Sequence, residues 1–310
     1  MESHRALLFD GQGAQEVGMG KDLYEIDPDV RRLYEEAERV LRMPLRSLSF
    51  AGPAEALTET IAAQPALFVH GFALFTFLLK RLPAFPFSAV AGLSLGEITA
   101  HAVAGTFSFH DGLRLVRTRA AAIQKAAGDF PGSMVALIGA DRNAAEEITR
   151  EAGVDIANYN APGQIVLSGT RQGLSLVPEL ARKRNVRKVV PLDVSGAFHS
   201  RLMRKAAEEL ETFLQDFPLE IPRVPVYSNY LGRPLQEREE IRRSLADQVT
   251  GSVRWEDCIR RMLDCRIHQF VELGPRPILV GLLRRIDPQA NGIALATVQD
   301  LQSHEHELTP

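Results

Sequence analysis

The heptapeptide Ala91-Gly92-Leu93-Ser94-Leu95-Gly96-Glu97 sets up a serine as a nucleophile. Gly92-Leu93-Ser94-Leu95-Gly96 is G-x-S-x-G. It follows an apolar run, Phe87 to Ala91, that reads as a buried strand, and it precedes a helix predicted over Glu97 to Val103. A strand that turns sharply into a helix leaves no room for bulky neighbours, so glycine flanks the turn on both sides. The serine then stands exposed at the top of a sheet, at the positive end of a helix. The N–H of Leu95 is placed there to bind an oxyanion. A glycine-rich turn with an incidental serine has the same five residues. The strand before and the helix after favour the nucleophile.

A serine needs a base, and histidine is the ordinary one. Gly196-Ala197-Phe198-His199-Ser200 supplies it, just ahead of an amphipathic helix predicted from Leu202 to Phe213. A lone histidine there is commonly structural. Yet His199 falls where the chain leaves a small insert and rejoins the larger sheet, and a cleft between two domains is a usual active site. A third group is Arg119, on a helix predicted over Asp111 to Ala127. Its apolar stripe is Leu113, Val116, Ala120, Ile123 and Ala127. At ~100° per residue, Arg119 lies about 60° from that stripe and Arg114 nearly opposite it. Arg119 therefore looks inward or into a cleft, against the commoner fate of a snorkelling flank residue. A glycine turn, Asp10-Gly11-Gln12-Gly13-Ala14-Gln15, follows the strand Ala6 to Phe9. It lets the backbone approach a ligand at the C-terminal edge of a parallel sheet. It lacks the Lys-Ser/Thr ending of a phosphate loop.

The elements that must hold these groups are of two kinds. From Ser133 to Leu192 the order β-α-β-β-α-β is that of a ferredoxin-like unit. We assign residues 131–195 to this small inserted domain and 1–130 with 196–310 to a large α/β domain built on a parallel sheet. In the large part a helix is expected over Asp29 to Leu41, a loop over Leu48 to Leu57, and a helix over Thr58 to Lys80 that Pro65 breaks or starts. Later come a strand at Pro225 to Ser228, helices over Arg238 to Val249 and Trp255 to Leu263, a core strand at Gln269 to Leu273 and a helix over Ile278 to Arg285. The tail from Gln302 to Pro310 reads as polar and loose, its His304-Glu305-His306 solvated rather than metal-binding.

Composition sets outer limits. A net charge of -3 with 45% hydrophobic residues in 310 is ordinary for a globular chain of one or two domains, with no global reason to bind nucleic acid. Cys258 and Cys265 share one helical stretch and read as buried small hydrophobes, which fits a reducing cytoplasm. Met1 to Arg5 lead straight into a strand without a signal-peptide h-region. The longest apolar run, Ala66 to Leu79, is too short to span a bilayer and reads as a core helix, so no membrane partner is expected.

With these motifs in hand, the chain resembles the malonyl-CoA:acyl-carrier-protein transacylases, nearly end to end. The likeness extends to Ala157-Asn158-Tyr159-Asn160-Ala161-Pro162-Gly163-Gln164, Val253-Arg254-Trp255 and Phe270-Val271-Glu272-Leu273-Gly274-Pro275. It implies an α/β-hydrolase-like core with a ferredoxin-like insert. It implies that Ser94 takes malonyl from malonyl-CoA as an ester and that His199 is the base. The Gln12 and Leu95 N–H groups would form the oxyanion hole, and Arg119 would grip the malonyl carboxylate. The main-chain carbonyl of Gln248 would orient His199, making a Ser–His dyad. Phe198, in the form of malonyl-selective members, and Asn160 would line the substrate pocket. The implied partners are a CoA thioester, a phosphopantetheinylated acyl carrier protein and a polyketide or fatty acid synthase, with no permanently bound cofactor and no metal.

Four positions depart from the common bacterial fatty-acid pattern: Asp10 for Pro, Leu93 for His, Ala120 for Gly and Ile123 for Met. Leu93 and the run Ser195 to Ser200 are closer to free-standing polyketide acyltransferases, which serve their synthases in trans. Two other readings compete. A hydrolase could clear stalled acyl groups from carrier proteins, but has no use for Arg119 on uncharged chains. A scaffold with a decayed site does not fit a chain that keeps Ser94, His199 and Arg119. The basic cluster Arg182, Lys183, Arg184, Arg187 and Lys188 could steer an acidic carrier protein, or be a solvated helix end.

Overall fold

The computed structural model describes residues 4–309. Met1 to Ser3, part of the N-terminal reading, and Pro310 of the tail lie outside the described residues. The strands, in chain order, are β1 (Arg5–Phe9), β2 (Ala89–Gly92), β3 (Ser133–Ile138), β4 (Asp155–Ala161), β5 (Gln164–Gly169), β6 (Lys188–Pro191), β7 (Val226–Ser228), β8 (Arg233–Leu235), β9 (Gln269–Leu273) and β10 (Asn291–Leu295).

Six of them form one sheet in the order β10-β9-β1-β2-β7-β8, parallel except for β8. β1 is apolar without alternation because both its faces are covered. Leu7 and Phe9 point into one core, and Ala6 and Leu8 into another on the opposite face. The first core holds the long helices Thr60–Arg81, Phe109–Asp129 and Arg204–Leu214; the second holds Trp255–Asp264 and Ile278–Ile286. β1 and β2 run side by side, Phe9 opposite Gly92, so the Asp10–Gln15 turn and Ser94 leave the same sheet edge. That carboxyl edge is where open α/β sheets bind ligands.

The other four strands form a separate antiparallel sheet, ordered β4-β5-β3-β6. The helices Arg142–Ala152 and Arg171–Lys183 pack on it around Leu137, Ile148, Leu167 and Val177. This is the β-α-β-β-α-β unit expected from the sequence. It is sewn to the body by reciprocal bonds, Tyr159 N–H to Val253 O at 2.9 Å and Val253 N–H to Ala157 O at 2.8 Å.

Several local expectations need correcting. Leu48 to Leu57 is not a loop but parts of two short helices, Leu45–Ala51 and Ala54–Thr58, too brief to show a periodicity. Pro65 neither breaks nor starts its helix, which runs from Thr60 to Arg81. The bond it forgoes is the one to Ile61, an exposed residue of the first turn, so the cost is small there. The tail is not loose. Val298–Leu308 is a helix with a Thr297–Asp300 capping box, buried Leu301 and Leu308, and Arg5 donating to Leu308 O at 3.1 Å. Two apolar anchors were too few to show as a stripe. Cys258 is buried as expected, but Cys265, just past its helix end, is exposed.

Leu167 lies at the centre of the insert's own core and is fully buried. Leu167→Ala is expected to cost about 2–5 kcal/mol of stability, read by denaturant unfolding.

Candidate active site

Ser94 sits between β2 and the helix Leu95–Val103 with φ 54° and ψ -101°, a conformation L-residues rarely hold. Contacts show why glycine flanks it. A Cβ on Gly92 would overlap the backbone of Gly96, and one on Gly96 would overlap the carbonyl of Phe9. Asn229, just past β7, staples the turn. Its Oδ1 accepts from the Ser94 N–H at 2.5 Å and its Nδ2 donates to Gly92 O at 2.8 Å. Its own N–H donates to Glu97 Oε2 at 2.8 Å.

His199 approaches from the strand-to-helix junction after the insert, also at positive φ, 54°. Its Nε2 is 2.8 Å from Ser94 Oγ, and its Nδ1 is 2.8 Å from Gln248 O and 3.2 Å from Gly251 O. Carbonyls only accept, so the proton is on Nδ1 and Nε2 offers its lone pair to the serine hydroxyl. Burial, and next the Arg119 charge, lower the His199 pKa to about 4; the two carbonyls oppose the shift. The imidazole is thus neutral at neutral pH.

Arg119 is 2% exposed. One terminal nitrogen donates to Gln64 Oε1 at 2.7 Å, and the other to Ser94 Oγ and Gln248 Oε1, both at 3.0 Å. Its Nε has no partner among the described residues. All these acceptors are neutral. Burial lowers its pKa to about 10, and the field of Glu97 works the other way. Glu97, buried beneath, accepts from Gln248 Nε2 at 2.6 Å and is pushed up to about 7, chiefly by burial.

The N–H groups of Gln12 and Leu95 have no partner among the described residues. The first is in the glycine turn beside Ser94, the second opens the helix behind it, where N–H groups have no intrahelical acceptor. The Gln12 side chain is held by Thr60 Oγ1 at 3.1 Å. Together these groups face a cleft of about 270 Å³ between the body and the insert, walled by Met134, Asn158, Asn160, Val166, Phe198 and Ile278 among others. The Asn160 side-chain oxygen is buried there without a partner among the described residues. Of the four departures, Leu93 and Ile123 line the cleft, while Asp10 and Ala120 are buried.

So the structure brings Ser94, His199, Arg119 and Gln248 into direct contact and sets Gln12, Phe198 and Asn160 around them. Sequence reasoning missed Gln64, Glu97 as a buried acid, and Asn229. The signals were there: a glutamine inside an apolar helix, and an asparagine at a strand's carboxyl end.

A hydrogen-bonded serine and histidine beside a buried cation, on a mainly parallel sheet with a second small antiparallel sheet, define an acyl-transfer enzyme. The chain belongs to the acyl transferase family: the model described as acyl transferase domain matches residues 7–307. It is 39% identical to the malonyl CoA-acyl carrier protein transacylase of Bacillus subtilis, over 96% of this chain and 95% of that protein. It is 38% identical to the polyketide biosynthesis malonyl CoA-acyl carrier protein transacylase BaeC of Bacillus velezensis, over 90% and 95%. Among solved structures it superposes on a malonyl-transacylase in complex with a type II polyketide synthase acyl carrier protein. The TM-score is 0.94 at 31% identity, covering 98% of this chain and 100% of that one.

Two outcomes are expected. Because the lowered pKa keeps His199 a free base down to about 4, the acid limb of kcat/KM for serine acylation falls near pH 4 rather than near 6.5. Asn229→Ala leaves the Ser94 N–H and Gly92 O unpaired, costing about 1–3 kcal/mol for each group, read by thermal melting alongside the acylation rate.

Proposed function

We infer that the protein is a malonyl-CoA:acyl-carrier-protein transacylase. Ser94 Oγ attacks the thioester carbonyl while His199 Nε2 takes the hydroxyl proton. The oxyanion is met by the Gln12 and Leu95 N–H groups. Collapse breaks the C–S bond, His199 returns the proton to the departing CoA sulfur, and malonyl remains on Ser94 as an ester. The thiol of a carrier protein's phosphopantetheine arm then repeats the steps in reverse, giving its proton to His199 and leaving with the malonyl group. Gln248 O holds the imidazole in the tautomer that this needs. Phe198 and Asn160 border the acyl group.

One observation carries the reading: a buried guanidinium 3.0 Å from the nucleophile, bonded among the described residues only to neutral groups. A diacid such as malonyl brings the carboxylate that this cation lacks, and the guanidinium fork receives it through two N–H donors. A hydrolase for uncharged acyl chains would leave the charge uncompensated. Leu93 in the cleft and the polyketide relatives support service to a polyketide synthase in trans.

The same reading takes malonyl-CoA as substrate, with no resident cofactor, and works in the cytoplasm. It divides the chain into 1–130 with 196–310 and 131–195, which the two sheets with separate cores support. Steering of the carrier protein by the insert is the weaker part. Lys183 pairs with Glu179, and Arg184 with Glu147 and Glu151, so Arg182, Arg187 and Lys188 are the cluster's remaining charges.

Malonyl-CoA alone is expected to give a malonyl-Ser94 adduct by mass spectrometry, and carrier protein to discharge it. Malonate released equally fast with and without carrier protein would favour hydrolysis. Arg119→Ala strands the malonyl carboxylate in the cleft, at a cost of about 3–5 kcal/mol, a hundredfold or more in malonyl transfer.

A further inference from the structure

Asp10 is a buried carboxyl that the acyl transfer does not use. Neither of its oxygens meets a donor at hydrogen-bond geometry among the described residues. Strand register explains where it points. β1 and β9 pair with Leu8 opposite Glu272 and Phe9 opposite Leu273, so Asp10 comes to lie opposite Gly274. A Cβ on Gly274 would overlap the Asp10 carboxyl, which occupies that space and reaches Glu272 on the same side of the sheet.

Glu272 is already committed. Its Oε1 accepts from the Leu279 N–H and its Oε2 from the Val280 N–H, both at 2.7 Å, in the first turn of the helix Ile278–Ile286. Burial raises the Glu272 pKa, and the two amides at the positive helix end pull it back, so of the two carboxyls Glu272 is the better placed to be the anion. Two carboxylates would repel, but a carboxylic acid donates well to a carboxylate. Asp10, whose oxygens meet no donor at hydrogen-bond geometry among the described residues and have only the Arg276 amide nearby, is the one to carry the proton. Burial, and next the charge of Glu272, raise its pKa well above the usual range, while the Arg276 amide and guanidinium pull the other way. Glu272 and Arg276 are the charged groups that face Asp10. The helices packed there bring Gly71 against Phe9 and Gly96 against the Asp10 carbonyl.

The pair joins two walls of the acyl cleft. On one side is the turn that carries Gln12, where a Cβ on Gly11 would overlap the Leu93 carbonyl. On the other are Ile278 and Leu282, at the start and on the inner face of the helix that Glu272 caps. We propose that Asp10 is a positioning residue: its protonated carboxyl, donating to Glu272, ties the oxyanion turn to the Ile278–Ile286 helix and so holds the Gln12 N–H at the reaction centre. This rests on the transacylase reading above.

The test compares D10A and D10N by the rate of malonyl-Ser94 formation from malonyl-CoA, with kcat and KM separated across pH. D10A removes the tie. It is expected to lose about tenfold or more in kcat with KM little changed. D10N keeps a donor that needs no added proton, so it restores kcat at neutral pH and lacks whatever part of the alkaline decline belongs to the pair. D10N as impaired as D10A, or an alkaline limb identical in D10N and wild type, overturns the proposal. So does a folded D10A with wild-type kcat. Should D10A not fold, the D10N pH profile still decides. Wild-type protein that forms no malonyl-Ser94 would instead bring down the transacylase reading itself.

Discussion

The site depends on a backbone turn that most residues cannot make. Between β2 and its helix the chain reverses in a few residues, Ser94 is forced to positive φ, and Gly92 and Gly96 touch backbone where a Cβ would stand. Strain of this kind persists only where the surroundings hold it. Here Asn229 binds the turn from both sides, and the end of β1 packs flush on Gly96. The same close packing places the Gln12 turn next to the nucleophile. The geometry that exposes Ser94 therefore also positions the second N–H donor.

Buried charge is handled just as locally. Gln248 touches Ser94, His199, Arg119 and Glu97: its carbonyl accepts from His199, its Oε1 from Arg119, and its Nε2 donates to Glu97 and to the Ser94 carbonyl. An amide suits this place better than a carboxylate. A glutamate there would neutralise Arg119. The carbonyl that orients His199 is neutral too, so it holds the ring proton on Nδ1 but favours a second proton less than a carboxylate would. The result is a weak base beside a cation that has no carboxylate hydrogen-bonded to it among the described residues. On the proposed function, malonyl binding would supply an anion and, by offsetting the Arg119 field, would make the imidazole a stronger base once substrate is in place.

Much of this was legible in the residues. The nucleophile turn, the inward face of the Phe109–Asp129 helix and the order of strands in the insert each depend on local pattern, and each was found where expected. Arg119 is the clearest case, since its angle from the apolar stripe placed it inside and Arg114 outside. The misses have physical causes. The helix Val298–Leu308 has two apolar anchors and owes its place to a cap and to Arg5, nearly the whole chain away in sequence. Gln64 and Asn229 carry no motif; their meaning comes from what they touch.

By itself the sequence determined the chemistry available: a serine in a turn only glycine permits, a histidine, an inward arginine, and the periodicities that make two sheets. Those are properties of neighbours along the chain. Tertiary structure alone decided that residues 94, 119, 199 and 248 meet within hydrogen-bond distance, which tautomer the histidine holds, and that Arg119 has no carboxylate bonded to it among the described residues. Long-range packing sets distances and desolvation, and these turn a list of polar residues into a hydrogen-bonded serine and histidine beside a buried cation.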